Sequence, residues 1–69
     1  MTAPIEPLTS TQLTILRQIA QGKTNKEIAL TQRLSPHTVR HHVTEILARL
    51  AAADRAHAVA IALRTNLID

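Results

Sequence analysis

At 69 residues, 45% of them hydrophobic, the chain suits one domain near the lower size at which a core suffices without metal or disulfide support. It contains no cysteine, which excludes disulfides and thiolate metal centres, and no Phe, Tyr or Trp, which removes the stacking platforms that single-strand binders use. The formal charge of +3 is confined to the middle: Lys23, Lys26, Arg33, Arg40 and Arg49 stand against Glu27 and Glu45 there, and the charges on either side cancel. Such a patch suits a phosphate-bearing partner, but a solvated basic surface has the same arithmetic.

Residues 1–7, with Pro4 and Pro7, read as an extended lead-in or the end of a linker. A first helix follows. Thr9 and Gln12 have the spacing of a capping box, and Leu13, Leu16, Ile19 and Ala20 form an apolar stripe that Ile15 broadens and Gly22 ends. A second box, Thr24 with Glu27, opens a short helix from Asn25 to about Gln32, with Ile28 and Ala29 inward. Arg33 and Leu34 then lead to Ser35, a connection short enough for a helix-turn-helix, and the small Ala29 allows a close crossing.

The segment from Ser35 to Leu50 is the most informative. Ser35 is a strong N-cap and Pro36 fits the first helical position, where an N–H would have no intrahelical partner. Val39, Val43, Ile46, Leu47 and Leu50 recur at helical spacing and define a core face. The other face carries His37, Arg40, His41, Thr44, Glu45 and Ala48, mostly short, hydrogen-bonding or cationic side chains, as a helix entering a DNA groove requires. His42 lies near the boundary and reads as a packed histidine hydrogen-bonded to backbone in preference to a pH switch. Asp54 offers a cap for a last helix from about Arg55 to Thr65, which Asn66 ends. Its unbroken run from Ala58 to Leu63 leaves one face exposed in a monomer, to be covered by a second copy or by Ile5 of the lead-in.

No paired carboxylates, nucleophile with base or glycine-rich phosphate loop can be assembled, so an enzyme is not expected, and no cofactor is implied. His37 and His41 have a spacing that can hold a metal, but no Glu lies between them as in His-Glu-x-x-His and no third ligand is evident, so no metal site is expected.

The ordered set Leu8-Thr9, Ile15-Leu16, Ala20-Gln21-Gly22, Asn25-Lys26-Glu27-Ile28-Ala29, Ser35-Pro36, Thr38-Val39, His42-Val43, Ile46-Leu47, Leu50, Arg55, Ala58-Val59, Ala62 and Leu67 resembles the LuxR-type, GerE-like helix-turn-helix domain of bacterial transcription regulators. The resemblance covers residues 8–69. It implies an all-α, four-helix domain that binds double-stranded DNA as a homodimer, with the third helix in the major groove and the fourth as the dimer contact. Carried over by position, Arg40, His41 and Thr44 become base readers, and Asn25, Lys26, Ser35, His37, Thr38 and Arg49 phosphate contacts. Val59, Ala60 and Leu63 fall on the dimer face. Five positions depart from the pattern: Thr11 and Gln12 stand where Arg-Glu is usual, Gln32 where Leu is common, Ala51 where Gly is common, and His57 where Glu is common. Gln32 then either lies across the core rim or yields its place to Leu30.

Two functional classes follow. One is sequence-specific duplex binding on paired half-sites for transcription regulation; the other is a helical interaction module docking on transcription machinery, with RNA polymerase a candidate partner. With neither a leader-like start nor a membrane-length apolar run, the expected location is the bacterial cytoplasm, on the nucleoid when bound. The sequence shows neither a ligand pocket nor a phosphoacceptor domain to receive a regulating signal; the two alternatives are that the chain stands alone or that a sensing domain precedes Pro4.

Overall fold

The computed structural model describes residues 8–69, which form four helices: α1 Ser10–Ala20, α2 Asn25–Gln32, α3 Pro36–Leu50 and α4 Arg55–Arg64. The lead-in and the covering role considered for Ile5 lie outside the described residues. Every helix starts where a local side chain satisfies its orphan N–H groups. Thr9 and Thr24 each accept from the backbone three residues on, and Gln12 and Glu27 reciprocate, completing both capping boxes. Ser35 and Asp54 cap α3 and α4. His57 does part of the work of the Glu common at its position: its Nδ1 accepts the Ala53 N–H at 2.9 Å while its own N–H donates to Asp54 Oδ1 at 2.8 Å.

The helix ends share a second device. In each case a residue in left-handed conformation turns the chain, and the next N–H reaches back to a carbonyl five residues earlier: Lys23 to Gln18, Leu34 to Ala29, Ala52 to Leu47 and Leu67 to Ala62. The left-handed residues are Gly22, Arg33, Ala51 and Asn66. Gly22 and Asn66 suit that region, whereas Arg33 and Ala51 bear a Cβ cost there. Replacing Ala51, at φ 53°, by Gly should therefore stabilise the domain by about 0.5–1 kcal/mol, the left-handed penalty less the extra backbone entropy of glycine. A urea midpoint that rises with unchanged slope is the expected result.

Ile15, Leu16, Ile28, Val39 and Ile46 are fully or almost fully buried and form the centre of the core, closed by Ala29, Val43, Leu50, Ala58, Ile61, Ala62 and Ile68. α3 packs against each of the other three helices, so the core is built around it, and α1 also meets α4. The inward face of α1 differs from the sequence expectation. Ala20 is exposed and Leu13 and Ile19 are half-buried, while Gln12 is buried at 1% exposure. The stripe is rotated because the amide of Gln12 finds partners inside, which removes the cost that would push a polar side chain outward. Gln32 lies half-buried at the rim, and Leu30 is 75% exposed, so Leu30 does not replace it in the core. Among the described residues no helix is long and apolar enough to cross a membrane.

Candidate nucleic-acid interface

The turn between α2 and α3 comprises Arg33, Leu34 and Ser35. Left-handed Arg33 reverses the chain and Leu34 packs on the core, so Ser35 arrives oriented as a cap. Ser35 Oγ accepts the Thr38 N–H at 3.0 Å and donates to Thr38 Oγ1 at 2.9 Å, while the Val39 N–H donates to the Ser35 carbonyl at 3.0 Å. Pro36 has no N–H. Among the described residues, the His37 N–H is thus left for an outside acceptor at the positive end of the helix, where an anion is favoured. Ser35 and His37 are exposed and Thr38 half-buried.

Beyond that first turn the outer face of α3 presents Arg40, His41 and Thr44, all exposed. Among the described residues the Arg40 guanidinium makes no hydrogen bond or ion pair, so its planar fork of donors is available. Thr44 Oγ1 donates to the Arg40 carbonyl at 3.0 Å, which uses its one donor and leaves its hydroxyl oxygen as an acceptor. His41 Nε2 stands 3.6 Å from Glu45 Oε2. The three side chains predicted as base readers therefore share one solvent-facing surface, opposite Val39, Val43 and Ile46.

α2 supplies a neighbouring basic edge. Lys26 is exposed in its first turn. The Thr24 N–H donates to Glu27 at 2.9 Å, and these cap hydrogen bonds, with a smaller contribution from Lys23, hold the Glu27 carboxyl below the usual glutamate range. Asn25 is half-buried, and its Oδ1 accepts from Arg55 Nη1 at 2.6 Å; Arg55 Nη2 also donates to the Lys23 carbonyl at 3.3 Å. The first residue of α4 therefore clamps the start of α2, a role that sequence reasoning did not assign to Arg55.

Arg49, the remaining expected phosphate contact, is turned toward α1. Its Nη1 donates to Gln12 Oε1 at 2.8 Å and its Nη2 lies 3.8 Å from Glu45 Oε1. His42 is half-buried, with Nδ1 3.5 Å from the Gln12 amide nitrogen, so its polar neighbour is a side chain on α1. On α4, Ala60 is exposed and Leu63 is 47% exposed, whereas Val59 is half-buried against the core. Among the described residues, His37 and His41 belong to no group of three or more side chains placed to hold a metal.

This architecture is shared widely. The family model described as bacterial regulatory proteins, luxR family, matches residues 6–62. The transcriptional regulatory protein LiaR of Bacillus subtilis is 44% identical over 66 residues, which cover 96% of this chain and 31% of LiaR. The response regulator protein VraR of Staphylococcus aureus is 43% identical over 64 residues, covering 93% of this chain and 31% of VraR. The crystal structure of the response regulator ChrA, from a heme-sensing two-component system, superimposes with a TM-score of 0.88 at 29% identity, over 96% of this chain and 33% of that one. The chain therefore spans about a third of the length of these relatives. With four helices in this arrangement and a family model that matches most of its length, the chain belongs to the luxR family of bacterial regulatory proteins, as a non-enzymatic helix-turn-helix DNA-binding domain.

Proposed function

We propose that the domain binds duplex DNA sequence-specifically, with α3 in the major groove, and that two copies joined through α4 read paired half-sites to regulate transcription. The observation that carries this reading is the Arg40 guanidinium, without a partner among the described residues, beside His41 and Thr44 on the exposed face of a helix whose N-terminus also offers the His37 N–H. Arg40 suits bidentate contact with the O6 and N7 atoms of guanine, and His41 and Thr44 suit single hydrogen bonds to neighbouring base edges. Ser35, His37 and Thr38 suit phosphate at the start of α3, with Asn25 and Lys26 along the edge of α2. Arg49 is better suited to hold α3 in place than to meet phosphate, because Gln12 and Glu45 engage its guanidinium.

Binding measured against salt tests this reading. Affinity should fall steeply as salt rises, and a selected site should be preferred over bulk DNA. Lys26→Ala should weaken binding to all sequences alike and reduce the logarithmic salt slope by about 1, as loss of one phosphate contact does. A slope unchanged by Lys26→Ala removes that residue from the interface. For the dimer contact, Leu63→Glu should abolish cooperative occupation of two half-sites while leaving binding to one half-site intact, because a charge would be buried where Leu63 and Ala60 meet a second copy. Cooperativity that survives the substitution places the contact elsewhere.

One feature favours the second reading, docking on transcription machinery such as RNA polymerase: Leu30 is a large apolar side chain 75% exposed on α2. Single exposed leucines are common on soluble proteins, so this weighs less than the face of α3. Binding to DNA that is weak and flat in salt would favour it.

A further inference from the structure

We propose that Arg55, at the start of α4, is a positioning residue for DNA binding: it holds the Asn25 side chain so that the donor end of its amide is presented to phosphate. The inference rests on the reading of Asn25 as a phosphate contact and goes beyond it by giving a role in DNA binding to a residue of the last helix.

The donor inventories of the two side chains fix the orientation of the amide. A guanidinium has N–H donors and no acceptor, so the atom of Asn25 that faces it must be the carbonyl oxygen. Arg55 Nη1 donates to Asn25 Oδ1 at 2.6 Å, and Nη2 donates to the Lys23 carbonyl at 3.3 Å. The two bonds straddle the cap residue Thr24, so the planar fork is itself held in place. Among the described residues, Asn25 Nδ2 donates to no protein acceptor. It remains a donor, which a phosphate oxygen requires. Turned over, the amide would present Oδ1 there and repel the anion.

The packing of α2 cannot set this orientation alone. Its buried side chains, Ile28 and Ala29, lie in its middle, and Asn25 is its first residue. Arg55 supplies the constraint from α4, a helix that packs on both α1 and α3. The charge of Arg55 points the same way. Among the described residues it forms no ion pair, although it stands at the positive end of α2, where a cation is disfavoured. The carboxylate in the first turn of α2, Glu27, is engaged with the Thr24 N–H at 2.9 Å. A carboxylate at position 25 would accept the same bond from Arg55 and offset its charge, but it would face phosphate with a second oxygen. A neutral amide accepts the bond and keeps a donor outward.

A double-mutant cycle tests the assignment. Asn25→Ala, Arg55→Met and the double variant are titrated against the selected duplex across a range of salt, with urea midpoints as a control. The Asn25 side-chain amide signals are followed by NMR in the free wild type and the Arg55 variants, and should be displaced when the guanidinium is lost. Asn25→Ala should weaken binding to all sequences alike by about two- to tenfold, as loss of one hydrogen bond does, with an unchanged salt slope because a neutral donor releases no counterion. Arg55→Met should cost about two- to tenfold less in the Asn25→Ala background than in the wild type. Arg55→Lys keeps the charge without the planar fork and covers the case in which Arg55→Met does not fold; the same non-additivity with Asn25→Ala is expected. In the Arg55→Lys background, Lys26→Ala should still lower the logarithmic salt slope by about 1.

Unmoved Asn25 amide signals overturn the proposal without reference to DNA. Equal costs of the Arg55 substitutions in the two backgrounds also overturn it, as does loss of the Lys26 contribution together with that of Asn25, which marks a clamp on α2 as a whole. Wild-type affinity in Asn25→Ala overturns the phosphate reading of Asn25 and this assignment with it, while leaving groove recognition by α3 in place. A wild-type domain that selects no motif and binds DNA with no dependence on salt overturns the proposed function and this assignment together.

Discussion

Arg40→Ala is expected to reduce binding to the selected site by about 1–3 kcal/mol, roughly five- to 150-fold, and to relax the preference at one base pair per half-site. The side chain is exposed and the described structure gives it no protein partner, so its loss should leave the unfolding midpoint nearly unchanged. A phosphate contact behaves differently: its removal lowers affinity for all sequences and changes the salt slope without altering the selected motif. Titrating wild type and variant against the selected duplex and single-base changes of it distinguishes these outcomes. Unchanged affinity with an unchanged motif would remove Arg40 from the interface.

The second large effect is on the fold. Ile46 is almost fully buried on α3, the helix that packs against all the others. Ile46→Ala removes buried methyl and methylene groups at the centre of the core and should cost about 2–5 kcal/mol. Domains of this size have roughly 3–10 kcal/mol of stability, nearer the lower end when no disulfide or metal assists. The variant should therefore lose much of its helical circular dichroism at 25 °C, and DNA binding with it. Retention of a cooperative transition near the wild-type midpoint would show that the core is not organised around Ile46. Set beside Arg40→Ala, this pair separates loss of the reading face from loss of the helix that carries it.

The parts of this structure that were legible in the sequence are those decided locally. Thr9, Thr24, Ser35 and Asp54 mark the four helix starts because capping pairs a side chain with an N–H only a few residues away. Gly22 and Asn66 mark two ends for the same reason. Arg33 and Ala51 do not, because nothing in their chemistry favours left-handed backbone; they adopt it where packing of the helices requires the chain to reverse. Apolar periodicity places Ala20 inward, where the structure exposes it, and gives no sign that Gln12 is buried, since it assigns burial by residue type and the burial of Gln12 involves Arg49, thirty-seven positions away. The outer face of α3 followed from its period alone. The engagement of Arg49 with α1 and of Asn25 with Arg55 did not, because both depend on helices meeting in space.

These two contacts also sharpen the interface. Of the residues expected at phosphate, Ser35 and Thr38 are tied to one another at the start of α3 and Lys26 stands exposed, while Asn25 and Arg49 make internal bonds that fix α2 and α3 relative to their neighbours. The proposed site is therefore a small set of outward groups on a frame held by a few inward polar ones.

Selection of bound duplexes from a random pool tests groove reading by paired α3 helices, since it returns the motif, its symmetry and the half-site spacing together. Two inverted half-sites are expected, each with a base pair whose identity depends on Arg40, spaced so that two α3 helices meet the major groove on one side of the duplex. A pool that enriches no motif, or one whose motif is the same for the wild type and Arg40→Ala, would contradict this reading.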